Sequence, residues 1–247
     1  MHAPKLDAPI LLAHGMLGLA QALVKGLRLA DYFRGIPDWM RAAGNEVLTP
    51  EVPGIGAITR RAEALKVALE QWTSEPVHVI AHSQGGLDVR HMITHLGMSK
   101  RVRSLATIGT PHRGSPVADW GVAQAESKGV FRLLTLSPMD TQAFLDLRTT
   151  ECAAFNDATP DSPDVRYFSV AGDSSRANTL APLRWCHDIV CEHEGANDGL
   201  VSVASAHWGE DCDVWPADHG AEIGWFAGDT FDWRPAYARL LRRLAVT

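Results

Sequence analysis

The chain has few cysteines, no surplus of positive charge, no long apolar run and no low-complexity tract. Its 23 lysines and arginines stand against 29 aspartates and glutamates, a net charge of -6. That balance excludes a general nucleic-acid binder, because phosphate contacts need a basic face. No apolar run approaches the roughly 20 residues of a membrane-spanning helix. The four cysteines, Cys152, Cys186, Cys191 and Cys212, allow three full pairings, and sequence cannot choose among them. Met1–Pro9 carries a single lysine, and Ile10–Ala13 is too short for a signal-peptide core. The expectation is a cytoplasmic protein with free thiols. What is present is ordinary globular composition, 46% hydrophobic and 21% charged over 247 residues. A chain of that length buries enough surface to fold without disulfide or metal staples. Disorder and fibrous architectures are excluded by the same numbers.

Short apolar runs alternate with helical spacing. The runs Ile10–Ala13, Glu46–Thr49, Val77–Ala81, Val102–Ile108, Val165–Ala171 and, more weakly, Cys212–Trp215 read as strands. Between the second and third, Ala62, Leu65, Leu69 and Trp72 share one face of a helix over Ile58–Trp72. Gly85–Leu96 and Pro235–Ala245 read as further helices. Near-continuous apolar strands alternating with helices predict a mostly parallel sheet covered on both faces. Ligands of such sheets sit beyond the carboxyl ends of the strands. The segment 115–159 interrupts the alternation directly after a strand. It is rich in leucine, phenylalanine and alanine around Phe131–Leu134 and Phe144–Leu147, and is read as a helical cap over the site. No linker divides residues 1–247, so one domain is expected.

One loop carries a chemical signature. Ala81-His82-Ser83-Gln84-Gly85-Gly86 follows a strand and opens a helix, the setting of a nucleophile elbow. Small residues two before and two after the serine permit the sharp turn that lifts Ser83 above the sheet edge. Ala81 stands where glycine is usual. The Gln84 N–H then lies at a helix start, suited to stabilising an oxyanion. A second donor is expected from the loop after the first strand, His14-Gly15-Met16-Leu17-Gly18, where the Met16 N–H fits.

These motifs, together with Asp31-Tyr32-Phe33-Arg34-Gly35-Ile36, Gly109–Ser115 and Asn197-Asp198-Gly199-Leu200-Val201, resemble bacterial triacylglycerol lipases of the α/β-hydrolase superfamily. The pattern is similar to that of the Pseudomonas and Burkholderia type. The similarity runs in order from about Leu11 to about Trp225. It implies an α/β-hydrolase fold, here a six-stranded core, and a chain order of serine, acid, histidine. His219, after the final strand and with no histidine beyond it, is the base. Topology leaves Asp173 and Asp198 as acids; the resemblance selects Asp198, because the Asn-Asp-Gly-Leu-Val run carries the acid in these lipases. His82 is read as packing away from the active face, and His14 as structural. Arg61, Glu63 and Arg90 match charged family positions and are read as scaffold ion pairs. Lipases of this type bind calcium through an Asp two residues after the histidine. Ala221 occupies that place here, so calcium is not carried over.

Trp185–Glu194 concentrates cysteine, histidine and acid, but its cysteine spacing does not match a zinc site, and it is read as a loop. The resulting expectation is a serine ester hydrolase, lipase or esterase, without cofactor or metal. Its substrate is a small ester or lipid, and the cap touches a lipid interface transiently. The alternatives are a thioesterase or amidase using the same residues, or a silent binding protein of the same fold.

Overall fold

The computed structural model describes residues 2–16, 32–127, 142–225 and 231–246. Among them are six strands: β1 (Ile10–Ala13), β2 (Val47–Leu48), β3 (Val77–His82), β4 (Val102–Ile108), β5 (Arg166–Gly172) and β6 (Cys212–Trp215). They form one sheet in the order β2-β1-β3-β4-β5-β6, and every neighbouring pair is parallel. The chain leaves β1 for β2 on one side and returns to β3 on the other. The order therefore reverses between β1 and β3, and a crevice opens at their carboxyl ends.

The described helices are α1 (Ile36–Ala42), α2 (Ile58–Trp72), α3 (Gln84–His95), α4 (Pro116–Ser127), α5 (Gln142–Leu145), α6 (Thr149–Ala158), α7 (Arg184–Glu194), α8 (Val203–Ala206) and α9 (Trp233–Leu244). Alternate strand residues feed two cores. Leu11, Ala13, Val79, Ala81 and Leu105 pack against α2 and α3 through Leu65, Leu69, Val89 and Met92. Ile10, Leu12, Ile80, Ile108 and Val170 face α1 and α9, meeting Ile36, Met40, Tyr237 and Leu241. This is the period of two that a pleated strand imposes. Each fully buried leucine or isoleucine contributes about 1.5–3 kcal/mol.

Several boundaries differ from the sequence reading. β2 shrinks to two residues at the sheet edge, because Thr49 and Pro50 leave the ladder. The last helix starts at Trp233, two residues before Pro235, since the Asp232 side chain accepts a hydrogen bond from the Arg234 N–H and caps it. Trp185–Glu194 is not a loop but most of α7, with Cys186, His187 and Val190 turned inward. Its apolar stripe is too short to show as a period. Cys186 and Cys191 lie five positions apart on that helix, and all four cysteines are unpaired.

Of the expected cap, α4, α5 and α6 are described, while Phe131–Leu134 lies outside the described residues. α6 is tied to the body of the fold. Arg90 on α3 donates to Asn156 Oδ1 at 2.7 Å and to the Thr159 carbonyl at 3.0 Å. Cys152 packs with Ile58 and Leu87. α4 and Phe144 of α5 border the crevice instead.

Candidate active site

Ser83 is the single residue between β3 and α3 and has φ 54° and ψ -134°. Among the described non-glycine residues it alone has a positive φ. Such a conformation is held by its surroundings. The Ser83 N–H donates to the Ile108 carbonyl at 2.9 Å, and Thr110 Oγ1 donates to the Ser83 carbonyl at 2.8 Å. The turn also needs its glycines. A Cβ on Gly85 would stand 2.7 Å from the carbonyl oxygens of Ala13 and His14. One on Gly15 would stand 2.6 Å from Ser83 Cβ. Close approach of the β1 loop to the elbow is thus written into both positions.

His219 follows β6, where the sequence expects it. Its Nδ1 is 2.6 Å from Asp198 Oδ2, and its backbone N–H donates to the Asp198 carbonyl at 2.8 Å. Asp198 is fully buried, and its second oxygen accepts the N–H groups of Leu200 at 2.8 Å and Val201 at 2.7 Å. The carboxylate is therefore satisfied on both oxygens, and the imidazole orientation is fixed. With Nδ1 on Asp198, Nε2 is the nitrogen left for a reaction partner.

The other acids are elsewhere employed. Asp173 is exposed. Asp218 accepts from the N–H groups of Gly220, Ala221 and Leu180 at 3.1, 2.8 and 2.8 Å, holding the turn that carries His219.

Ser83, His219 and Met16 line one cavity of about 490 Å³, bounded further by Val117, Leu183 and Trp225. The Gln84 N–H opens α3, where first-turn N–H groups lack intrahelical partners. The Gln84 side chain is occupied with the Gly56 carbonyl at 2.8 Å, which leaves its backbone as the group of interest.

Behind the β1 loop lies the ion pair Arg61–Asp88, 2.8 Å apart and wholly buried. Arg61 Nη2 also donates to the His14 carbonyl at 2.6 Å and the Gly15 carbonyl at 3.3 Å. It braces the peptide preceding Met16. Burial pushes the Asp88 carboxyl up to about 7, against the Arg61 cation that lowers it. Burial, then the Arg61 charge, brings His14 down to about 4. Arg90 lies 3.6 Å from Asp161, whereas Glu63 is exposed.

The sequence reading misses one cluster. His82 does not point away from the active face. Its ring lies 4.4 Å from that of His219, centroid to centroid. Its Nδ1 meets the Tyr32 hydroxyl at 2.7 Å, and its Nε2 meets Glu222 Oε2 at 3.1 Å. His82 shares the face of β3 that carries Ile80, and that face meets Tyr32, so the strand's own alternation delivers the ring to this cluster. Glu222 is fully buried and also 3.7 Å from His219 Nδ1. Burial, followed by the nearby Asp198 charge, raises its carboxyl well above the usual range. An acid three residues past His219 was the available signal. A Cβ on Gly172 would stand 2.6 Å from Glu222 Oε1 and 2.7 Å from Asp198 Cβ, so the end of β5 is hollowed to admit both carboxyls.

The palmitoyl protein thioesterase family model matches residues 9–135, just over half of the chain. The chain is 35% identical over 192 residues to triacylglycerol lipase 2 of Saccharomyces cerevisiae, covering 73% of this chain and 58% of that one. It is 29% identical over 239 residues to a triacylglycerol lipase of Vibrio cholerae, covering 82% and 74%. Among solved structures, a metagenomic carboxyl esterase superposes with a TM-score of 0.80 at 20% identity, over all of this chain and 77% of that one. The likeness of that structure is one of fold: a parallel six-stranded sheet flanked by helices.

Proposed function

We propose, for a chain that belongs to the palmitoyl protein thioesterase family of α/β-hydrolases, hydrolysis of acyl esters through an acyl-enzyme on Ser83. One observation carries this reading: His219, held by Asp198 at 2.6 Å, borders the same apolar cavity as the strained Ser83. In the proposed reaction His219 Nε2 takes the Ser83 proton as Oγ attacks the ester carbonyl. The N–H groups of Met16 and Gln84 receive the oxyanion. Nε2 then protonates the departing alcohol. A water, activated by the same nitrogen, releases the acid and restores Ser83. Each step uses side chains and backbone of this chain.

The names of the yeast and Vibrio relatives support an acylglycerol or simple ester as substrate. The family description supports a second reading, thioester hydrolysis by the same residues with a thiol leaving. α4 and α5 act as a cap in this proposal. At the cavity rim, Trp120 and Trp185 have ring centroids 5.1 Å apart, and both rings and Phe144 are exposed. They are suited to transient contact with a lipid surface.

The test is turnover of p-nitrophenyl esters from acetyl to palmitoyl, below and above their solubility limits, beside acyl thioesters. Ser83→Ala is expected to lose about 10⁴–10⁶-fold in kcat/KM and all labelling by a fluorophosphonate. Failure of the folded wild type to label would support the silent binding protein.

A further inference from the structure

We propose that Tyr32 is a further catalytic residue, whose hydroxyl donates a third hydrogen bond to the oxyanion. His82 and Glu222 are the positioning residues that aim it. The catalytic role rests on the Ser83 chemistry proposed above. Tyr32 is buried and lines the same cavity as Ser83 and Met16. A Cβ on Gly15 would stand 2.7 Å from the Tyr32 hydroxyl oxygen and 2.6 Å from Ser83 Cβ. The hydroxyl thus fills the side-chain space of Gly15, between the nucleophile and the loop that carries the Met16 N–H. The rings of His14 and Trp225, with centroids 5.4 and 6.1 Å away, hold the phenol in place. Burial raises the hydroxyl above the ordinary phenol range, so it keeps its hydrogen.

A hydroxyl has one hydrogen, and its direction here depends on His82. The Tyr32 oxygen is 2.7 Å from His82 Nδ1, and His82 Nε2 is 3.1 Å from Glu222 Oε2. With hydrogen on Nε2, Nδ1 would take the Tyr32 hydrogen and leave none for a substrate. The state of Glu222 decides between the two tautomers. Asp198 and Glu222 are neighbouring acids, since a Cβ on Gly109 would press on Glu222 Oε2 and Asp198 Oδ2 alike. Carboxyls so close do not both ionise. Asp198 accepts two backbone N–H groups and faces His219 Nδ1. The Glu222 carboxyl is wholly buried and, among the described residues, pairs with no lysine or arginine. Its Oε1 has no hydrogen-bond partner among them, which leaves Oε2 on His82.

The negative charge therefore falls to Asp198 and the proton to Glu222. Glu222 Oε2–H donates to His82 Nε2. Loss of solvent keeps that imidazole neutral, so its hydrogen is on Nδ1 and is donated to the Tyr32 oxygen. The Tyr32 hydrogen is left for the cavity. There the oxygen of the tetrahedral intermediate, already received by the Met16 and Gln84 N–H groups, accepts it.

The experiment measures p-nitrophenyl acetate turnover and inhibition by butylboronic acid, whose adduct with Ser83 carries a tetrahedral oxygen in the oxyanion's place. Tyr32→Phe is expected to lose about 10–100-fold in kcat with KM little changed, and a similar factor in boronate affinity. Glu222→Leu is expected to lose about as much, and the double variant no more, because both act through one hydrogen bond. A merely structural hydroxyl would lower Tm without separating kcat from KM. Unchanged kcat and boronate affinity in folded Tyr32→Phe overturn the proposal, as do losses that add in the double variant. If Tyr32→Phe does not fold, 3-fluorotyrosine at position 32 carries the test, being a stronger donor of nearly the same size. Boronate should then bind more tightly, and equal or weaker binding overturns the role. The nitrogen-15 spectrum of His82 reads its tautomer without any substrate. Hydrogen on Nδ1 is expected, and hydrogen on Nε2 overturns the proposal whatever the activity. Wild type that turns over no ester refutes the proposed function and the catalytic role of Tyr32, while the tautomer still upholds or overturns the proton arrangement.

Discussion

Ser83 is strained, and the groups that hold it are short-range and specific: one carbonyl from β4, one hydroxyl from Thr110, and the close β1 loop. That loop is in turn braced by a buried charge. Arg61 gives hydrogen bonds to Asp88, to the carbonyls of His14 and Gly15, and to that of Pro53. Removing the guanidinium leaves all of these acceptors buried without their donor. Arg61→Leu is therefore expected to cost about 3–5 kcal/mol in urea unfolding. A loss below about 1 kcal/mol would mean that water or relaxation replaces the bonds, and that the brace is unimportant. At this scale the residue types of the site were legible, because the elbow is a local turn with local requirements. His82 and Glu222 were not. Their pairing joins residues 140 positions apart, which leaves no periodicity in the sequence.

At the scale of elements, α2, β4 and β6 begin and end where hydrophobic spacing places them. α2 and β4 are set by buried faces, whereas β6, at the sheet edge with only Trp215 buried, is set by its pairing with β5. α7 departs from expectation because charged and polar residues occupy most of its surface, and only its packing against the fold selects the helix. α4 offers a direct test of the cavity. Gly121 lines it, and a Cβ there meets no atom of the described residues within 4 Å. Gly121→Phe is expected to fill the cavity without displacing the helix. The ratio of decanoyl to acetyl ester kcat/KM should fall by about tenfold or more, since each buried methylene is worth about 0.8 kcal/mol. Ala123→Leu, exposed on the same helix, serves as the comparison and should leave the ratio unchanged. Equal ratios in wild type and Gly121→Phe would remove α4 from the acyl path.

Over the whole molecule, burial makes several histidines prefer neutrality. His14 is lowered to about 4, while His78, His82 and His112 are lowered chiefly by the same loss of solvent. The unfolded chain binds protons at these positions from about pH 6.5 downward, and the folded chain does not. The stability they contribute is present above that pH and is lost as pH falls toward 4. For His14 alone the shift corresponds to about 3 kcal/mol. Tm is expected to decline steadily from pH 6.5 to 4, and His112→Gln to lessen the slope. A flat Tm over that interval would show that these rings protonate without cost.

The sequence by itself determined the order of strands and helices, the parallel sheet, and the serine, acid and histidine with their two N–H partners as candidates. Those features rest on spacing within one segment or on a motif a few residues long. Only the tertiary structure set Asp198 at hydrogen-bond distance from His219 and left Asp173 exposed, stacked His82 beside His219, and buried Glu222 next to both. Each of these depends on where the ends of separate strands come to lie. Burial there, acting on groups far apart in the chain, sets both their charge and their partners.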